Sequence, residues 1–72
     1  METVYEKVTL PVARKIAGIT QIDLAKILDV SEATVINWEK GRSEPTVIQA
    51  IQIAEAVNRP LDCIIFLPKS AV

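Results

Sequence analysis

Apolar and polar positions along the chain alternate with helical spacing over most of its length. Val12, Ile16 and Ile19 form an apolar stripe, Pro11 suits a first helical turn because its missing N–H is not needed there, and Gly18 is a stop. This predicts a first helix over about 10–17. Thr20 then supplies an N-cap, with Asp23 three residues on as its capping-box partner. Ile22, Leu24, Ala25, Ile27 and Leu28 follow at helical spacing, and Asp29 tolerates a left-handed stop. The second helix is placed at about 20–28. Ser31 is again an N-cap residue, and a third helix runs to about 39, ahead of Gly41.

A polar loop, Arg42-Ser43-Glu44-Pro45, precedes Thr46, which with Gln49 makes another capping box. Ile48, Ile51, Ala54 and Val57 fit one buried face of the fourth helix, and Asn58 is its stop. Pro60 opens a short final helical turn. Ile64-Ile65-Phe66-Leu67 reads equally as helix or strand, because periodicity does not separate the two in so short a run, and Pro68 ends it. Near the N-terminus, residues 3–8 alternate weakly like a strand, with Val4 and Val8 on one side and Tyr5 and Lys7 on the other.

Composition narrows the function. The 72 residues are half apolar, which excludes disorder, and fit one domain over 1–72. A chain this short buries only about 60% of its unfolded surface, so it has no room for a large active-site scaffold. With 8 Lys+Arg against 9 Asp+Glu the net charge is −1, so composition alone does not advertise nucleic acid. There is no histidine, which removes the commonest general base and metal ligand together. Neither a phosphate-cradling loop nor a metal-ligand cluster stands out, so no enzyme, cofactor, metal site or small-molecule ligand is expected. The single cysteine, Cys63, has no disulfide partner and no adjacent base; it reads as a buried thiol. No apolar run approaches about 18 residues, so no membrane span is expected. Met1-Glu2-Thr3 lacks a signal peptide's regions, which makes the cytoplasm the expected location.

Two short helices joined by a three-residue turn have the shape of a helix-turn-helix. Ala25 is small where the helices must cross closely, and Val30 is placed to plug the turn. At about 100° per residue, Ser31, Val35 and Trp38 share one side of the third helix. Ala33, Asn37 and Lys40 fall opposite, flanked by Thr34 and Ile36. That outward face is small, polar and once basic, as a helix entering the major groove requires. Trp38 is read as core rather than as a base-stacking platform, and Lys26 as a solvated lysine.

These pieces, in order, resemble the Cro/phage-repressor type of helix-turn-helix, the Xre family. They are Thr20-Gln21-x-x-Leu24-Ala25, Leu28-Asp29-Val30-Ser31, Thr34-Val35-x-x-Trp38-Glu39-Lys40-Gly41 and Pro45, with Ile53-Ala54 and Leu61-Asp62 matching the last two helices. The ending Ile65-Phe66-Leu67-Pro68-Lys69 is similar to small members from phages and prophages of Gram-positive bacteria. The resemblance covers about 10–67 and implies an all-α fold of five short helices, lambda-repressor-like. A small β pairing between the N-terminal segment and the tail is compatible with it.

It also implies roles. Glu32, Ala33 and Asn37 match base-facing positions, where Asn37 would pair with adenine, Ala33 touch a thymine methyl, and Glu32 accept from cytosine or cap its helix. Thr34, Lys40 and Arg42 match phosphate-facing positions. Gln21 matches a glutamine that binds phosphate and braces the recognition helix. Arg14 and Glu39 match a pair tying helix 1 to the end of helix 3, with Trp38 in support. Asp29 departs from the pattern, which usually has glycine in the turn. The implied activity is sequence-specific binding of a double-stranded DNA operator as a transcriptional regulator, a repressor. The alternative is a protein-interaction module on the same fold, an antirepressor or antitoxin-like partner. A homodimer built mainly from the apolar tail is expected, such that a charge at Phe66 would give monomers.

Overall fold

The computed structural model describes residues 4–67. In chain order these form strand β1 (Val8–Thr9), helices α1 (Leu10–Ala17), α2 (Gln21–Leu28), α3 (Glu32–Glu39) and α4 (Val47–Ala56), a 3-10 turn (Leu61–Cys63) and strand β2 (Ile64–Ile65). Local chemistry opens three of the helices. The Thr20 and Thr46 hydroxyls accept from the N–H groups of Asp23 and Gln49, whose side chains accept in return from the Thr20 and Thr46 N–H groups. Ser31 Oγ accepts from the Thr34 N–H at 3.1 Å. Pro11 stands in the first turn of α1, where Thr9 makes no side-chain cap.

All four helices close in the same way. Gly18, Asp29, Gly41 and Asn58 take positive φ, at 77°, 57°, 73° and 53°. After each of them the chain folds back: Ile19, Val30, Arg42 and Arg59 donate to the carbonyls of Arg14, Ala25, Asn37 and Ala54. This six-to-one bond satisfies a carbonyl that would otherwise be orphaned at the helix end. Ile19 and Val30 also pack against the core, so these two closures fix the angles at which α2 and α3 leave.

The core gathers Leu10 and Ala13 from α1, Leu24, Ala25 and Leu28 from α2, and Val35 and Trp38 from α3. Ile53, Ala54, Val57 and Ile64 complete it from the C-terminal half. Helix α2 packs on both α3 and α4, while α1 meets both strands. Strands β1 and β2 pair in parallel within the chain, Val8 with Ile64 and Thr9 with Ile65.

Several sequence expectations are corrected. The described residues hold four α-helices, not five. After Pro60 only one 3-10 turn closes, with Cys63 N–H on Pro60 O at 2.9 Å, and Ile64 is already extended. The described residues are therefore mostly helical with one parallel strand pair. Strand β1 begins at Val8, and Val4 is exposed. In α1, Val12 and Ile16 face outward, while Leu10, Ala13 and Arg14 are buried. In α4, Ile48 is 70% exposed and Ile51 is also exposed, while Ile53, Ala54 and Val57 are buried. Ala50, Ile53, Ala54 and Val57 satisfy helical spacing as well as the predicted stripe does, so packing against α2 and the 3-10 turn decides between them. Cys63 is only half-buried, its Sγ 3.7 Å from the Tyr5 carbonyl oxygen. Phe66 packs against the core, so a charge there would strike folding before assembly. The stop expected at Pro68 lies outside the described residues, as do Met1–Thr3.

Candidate nucleic-acid interface

Helix α3 is anchored from behind. Val35 is wholly buried and Trp38 is 4% exposed. Fixing these two leaves the opposite side of the helix to solvent by geometry alone, since three residues advance about 300° and so set both on one side. Glu32, Ala33 and Lys40 are exposed there, and Asn37, Ile36 and Thr34 are half-exposed. Thr34 Oγ1 lies 2.9 Å from Ser31 Oγ, so the cap also orients this hydroxyl. Glu32 occupies the first turn, where the helix dipole favours a negative charge.

The loop after α3 is tied to it. The Asn37 carbonyl accepts from the N–H groups of Arg42 at 2.9 Å and Ser43 at 3.4 Å. Exposed Arg42 and Lys40 thus emerge from one corner, at the C-terminal end of α3.

A polar clamp holds that end in place. Arg14 Nε donates to Glu39 Oε2 at 2.8 Å and Nη2 donates to Oε1 at 3.3 Å, while Nη1 reaches the Ile19 carbonyl at 3.0 Å. Gln21 Nε2 donates to Glu39 Oε1 at 3.0 Å. One carboxylate from α3 thus receives donors from α1 and from the first residue of α2. Burial is tolerable because no side-chain oxygen or nitrogen buried among the described residues lacks a partner. Gln21 is half-exposed, and its amide carries two N–H groups, so the bond to Glu39 leaves one for another acceptor.

The structure therefore brings Arg14, Gln21 and Glu39 together, buries Trp38 in the core, and leaves Glu32, Ala33, Thr34, Asn37, Lys40 and Arg42 exposed or half-exposed on α3 and the loop that follows it. The meeting of Gln21 with Arg14 on a single carboxylate has no signal in local spacing, since the contact spans three helices. In the cap of α2, the Thr20 N–H and then the Thr20 hydroxyl hold the Asp23 carboxyl below its usual range. Among the described residues no cluster of three His, Cys, Asp or Glu is placed to hold a metal, and no helix is long and apolar enough to cross a membrane.

Comparison with known proteins agrees with this geometry. A helix-turn-helix family model matches residues 12–62, which spans α1 to the 3-10 turn. An uncharacterized HTH-type transcriptional regulator of Methanothermobacter thermautotrophicus is 46% identical over 46 residues, 64% of this chain and 67% of that protein. With a match over most of the chain and the two-helix motif braced as described, this protein belongs to the Cro/Xre-type helix-turn-helix family.

Proposed function

We propose that the protein is a sequence-specific binder of double-stranded DNA that regulates transcription, as a repressor, by inserting α3 into the major groove. One observation carries the reading. Helix α3 buries Val35 and Trp38 and turns Ala33, Asn37 and Lys40 outward, while Glu39 is clamped so that the helix cannot pivot. Asn37 pairs bidentately with adenine, Ala33 meets a thymine methyl, and Glu32 accepts from cytosine N4 or serves its own helix N-terminus. Thr34, Lys40, Arg42 and the second N–H of Gln21 hold phosphates. The related HTH-type transcriptional regulator supports the regulatory role by its name.

Two copies would read two half-sites about 34 Å apart, because one short half-site is poor discrimination against a genome. Ile65 on β2 and Leu67 just after it remain exposed and supply the apolar part of that contact. The net charge of −1 and the exposed Val47 and Ile48 favour one competing reading, a protein-interaction module on this fold.

Binding-site selection from random duplexes, followed by titration at several salt concentrations, tests the proposal. On a selected site, Asn37→Ala should relax preference at one base pair by about 1–3 kcal/mol. Lys40→Ala should weaken all sequences alike and reduce the salt slope by about one. If no duplex is enriched, or the Asn37→Ala, Lys40→Ala double variant binds the selected site as wild type does, the interaction-module reading replaces this one.

A further inference from the structure

Helix α3 carries one large apolar side chain outside the core cluster. Ile36 is half-buried, yet it is not among the side chains that pack against the core, whereas Val8, Ile19, Val30, Ala56 and Phe66 are. Its place on the helix is set by the anchors. Counting about 100° per residue from Ala33, Ile36 lies about 60° to one side, Lys40 about 20° to the same side and Asn37 about 40° to the other. These four residues occupy one stripe directly opposite Val35 and Trp38. Ile36 and Ala33 are adjacent on it, and together they form a small apolar surface between Glu32 and Asn37.

The part of this half-buried isoleucine that meets solvent is hydrated unfavourably, and a polar groove floor offers it no compensation except at one kind of group. In the major groove the only apolar feature of a base pair is the thymine 5-methyl. Hydrogen bonding cannot be its role, and a phosphate would leave its side chain without a matching surface. We propose that Ile36 is a specificity-determining residue that reads a thymine methyl group within the half-site. The inference rests on the DNA-binding reading above. Beside Asn37, whose amide suits adenine, it implies that the half-site carries A·T pairs at neighbouring positions read by the two residues, the Ile36 pair presenting its thymine methyl to the helix.

The test uses the full chain and a selected operator in which each thymine in turn is replaced by deoxyuridine. This deletes a methyl group and leaves every hydrogen-bonding group in place. Burial of one methyl group predicts that wild type loses about fourfold in affinity at one such position in each half-site. Ile36→Ala should bind the unmodified operator about fourfold more weakly and show no further loss at that position. Ile36→Val, which loses only the terminal methyl group and keeps the β-branch, should retain part of the discrimination, and circular dichroism should show both variants folded. Three results overturn the inference while DNA binding stands. In the first, wild type shows no deoxyuridine penalty anywhere. In the second, Ile36→Ala and Ile36→Val keep the wild-type pattern of penalties. In the third, the penalty disappears in Ala33→Gly instead. Failure to enrich any duplex overturns the DNA-binding reading itself, and this inference with it.

Discussion

Arg14 and Glu39, 25 positions apart, meet through a fork of two hydrogen bonds with side chains only 10% and 6% exposed. The pair joins the helix that precedes the two-helix motif to the last residue of the helix that faces outward. Each partner makes a further bond, Arg14 to the Ile19 carbonyl and Glu39 to Gln21, so neither group is left half-satisfied. A desolvated pair adds little net stability over an apolar one, but breaking it strands a buried charge. Its value lies in fixing the direction of α3.

Glu39→Ala should therefore destabilise the protein by about 3–5 kcal/mol, since the Arg14 guanidinium is left buried without its carboxylate. Gln21→Ala removes one charge-assisted bond at a half-exposed site and should cost about 1.5–3 kcal/mol at most. Urea unfolding of the two variants checks the order. Equal midpoints for Glu39→Ala and wild type would show the acid to be an ordinary surface residue.

Asp29 offers the opposite sign. It sits at φ 57° after α2, a conformation that costs a side-chain-bearing residue about 1–2 kcal/mol, less for Asp than for most. Glycine removes that penalty but adds about 0.5–1 kcal/mol of unfolded-state freedom. Asp29→Gly also removes a negative charge from the C-terminal end of a helix dipole. A net stabilisation of about 0.5 kcal/mol is expected, a rise of about 2–4 °C in Tm. Asp29→Ala, which keeps the Cβ, should show no such gain by scanning calorimetry.

Acid should loosen the start of α2. The Thr20 N–H bond, with smaller help from the Thr20 hydroxyl and Lys26, lowers the Asp23 pKa in the folded state. The folded state thus binds this proton less readily than the unfolded one. The contribution of Asp23 is complete above the ordinary aspartate range and is lost as pH falls through the lower folded value. Asp23→Asn keeps an oxygen for the Thr20 N–H and cannot titrate, so its urea midpoint should fall less than that of wild type between neutral pH and about pH 3. An identical fall in both would assign the acid sensitivity to other carboxylates.

Assembly can be probed without damaging the core. Phe66 packs inward, whereas Ile65 is exposed on β2. Ile65→Lys should leave Tm nearly unchanged, yield monomers in sedimentation at micromolar concentration, and reduce operator affinity steeply through loss of the second half-site. A wild-type protein that sediments only as a folded monomer, with and without operator, removes the proposed dimer.

Local chemistry was legible from the residues themselves. The caps at Thr20, Ser31 and Thr46 and the stops at Gly18, Asp29, Gly41 and Asn58 depend on bonds within a few residues, which spacing encodes directly. The outward side of α3 was legible for a related reason, because Val35 and Trp38 are its largest apolar groups besides Ile36 and their burial fixes the rest by rotation. Where apolar residues outnumber one face, the sequence could not choose. Helix α4 and its C-cap carry Val47, Ile48 and Ile51 as well as Ile53, Ala54 and Val57, and only tertiary packing, against α2 and the 3-10 turn, selected the second set. The same holds at the chain's ends, where Ile64–Ile65 became strand because Val8–Thr9 lay in reach to pair with it. The convergence of Arg14 and Gln21 on Glu39 likewise had to await the crossing of three helices, since hydrogen bonds between distant side chains are set by where the core places their backbones.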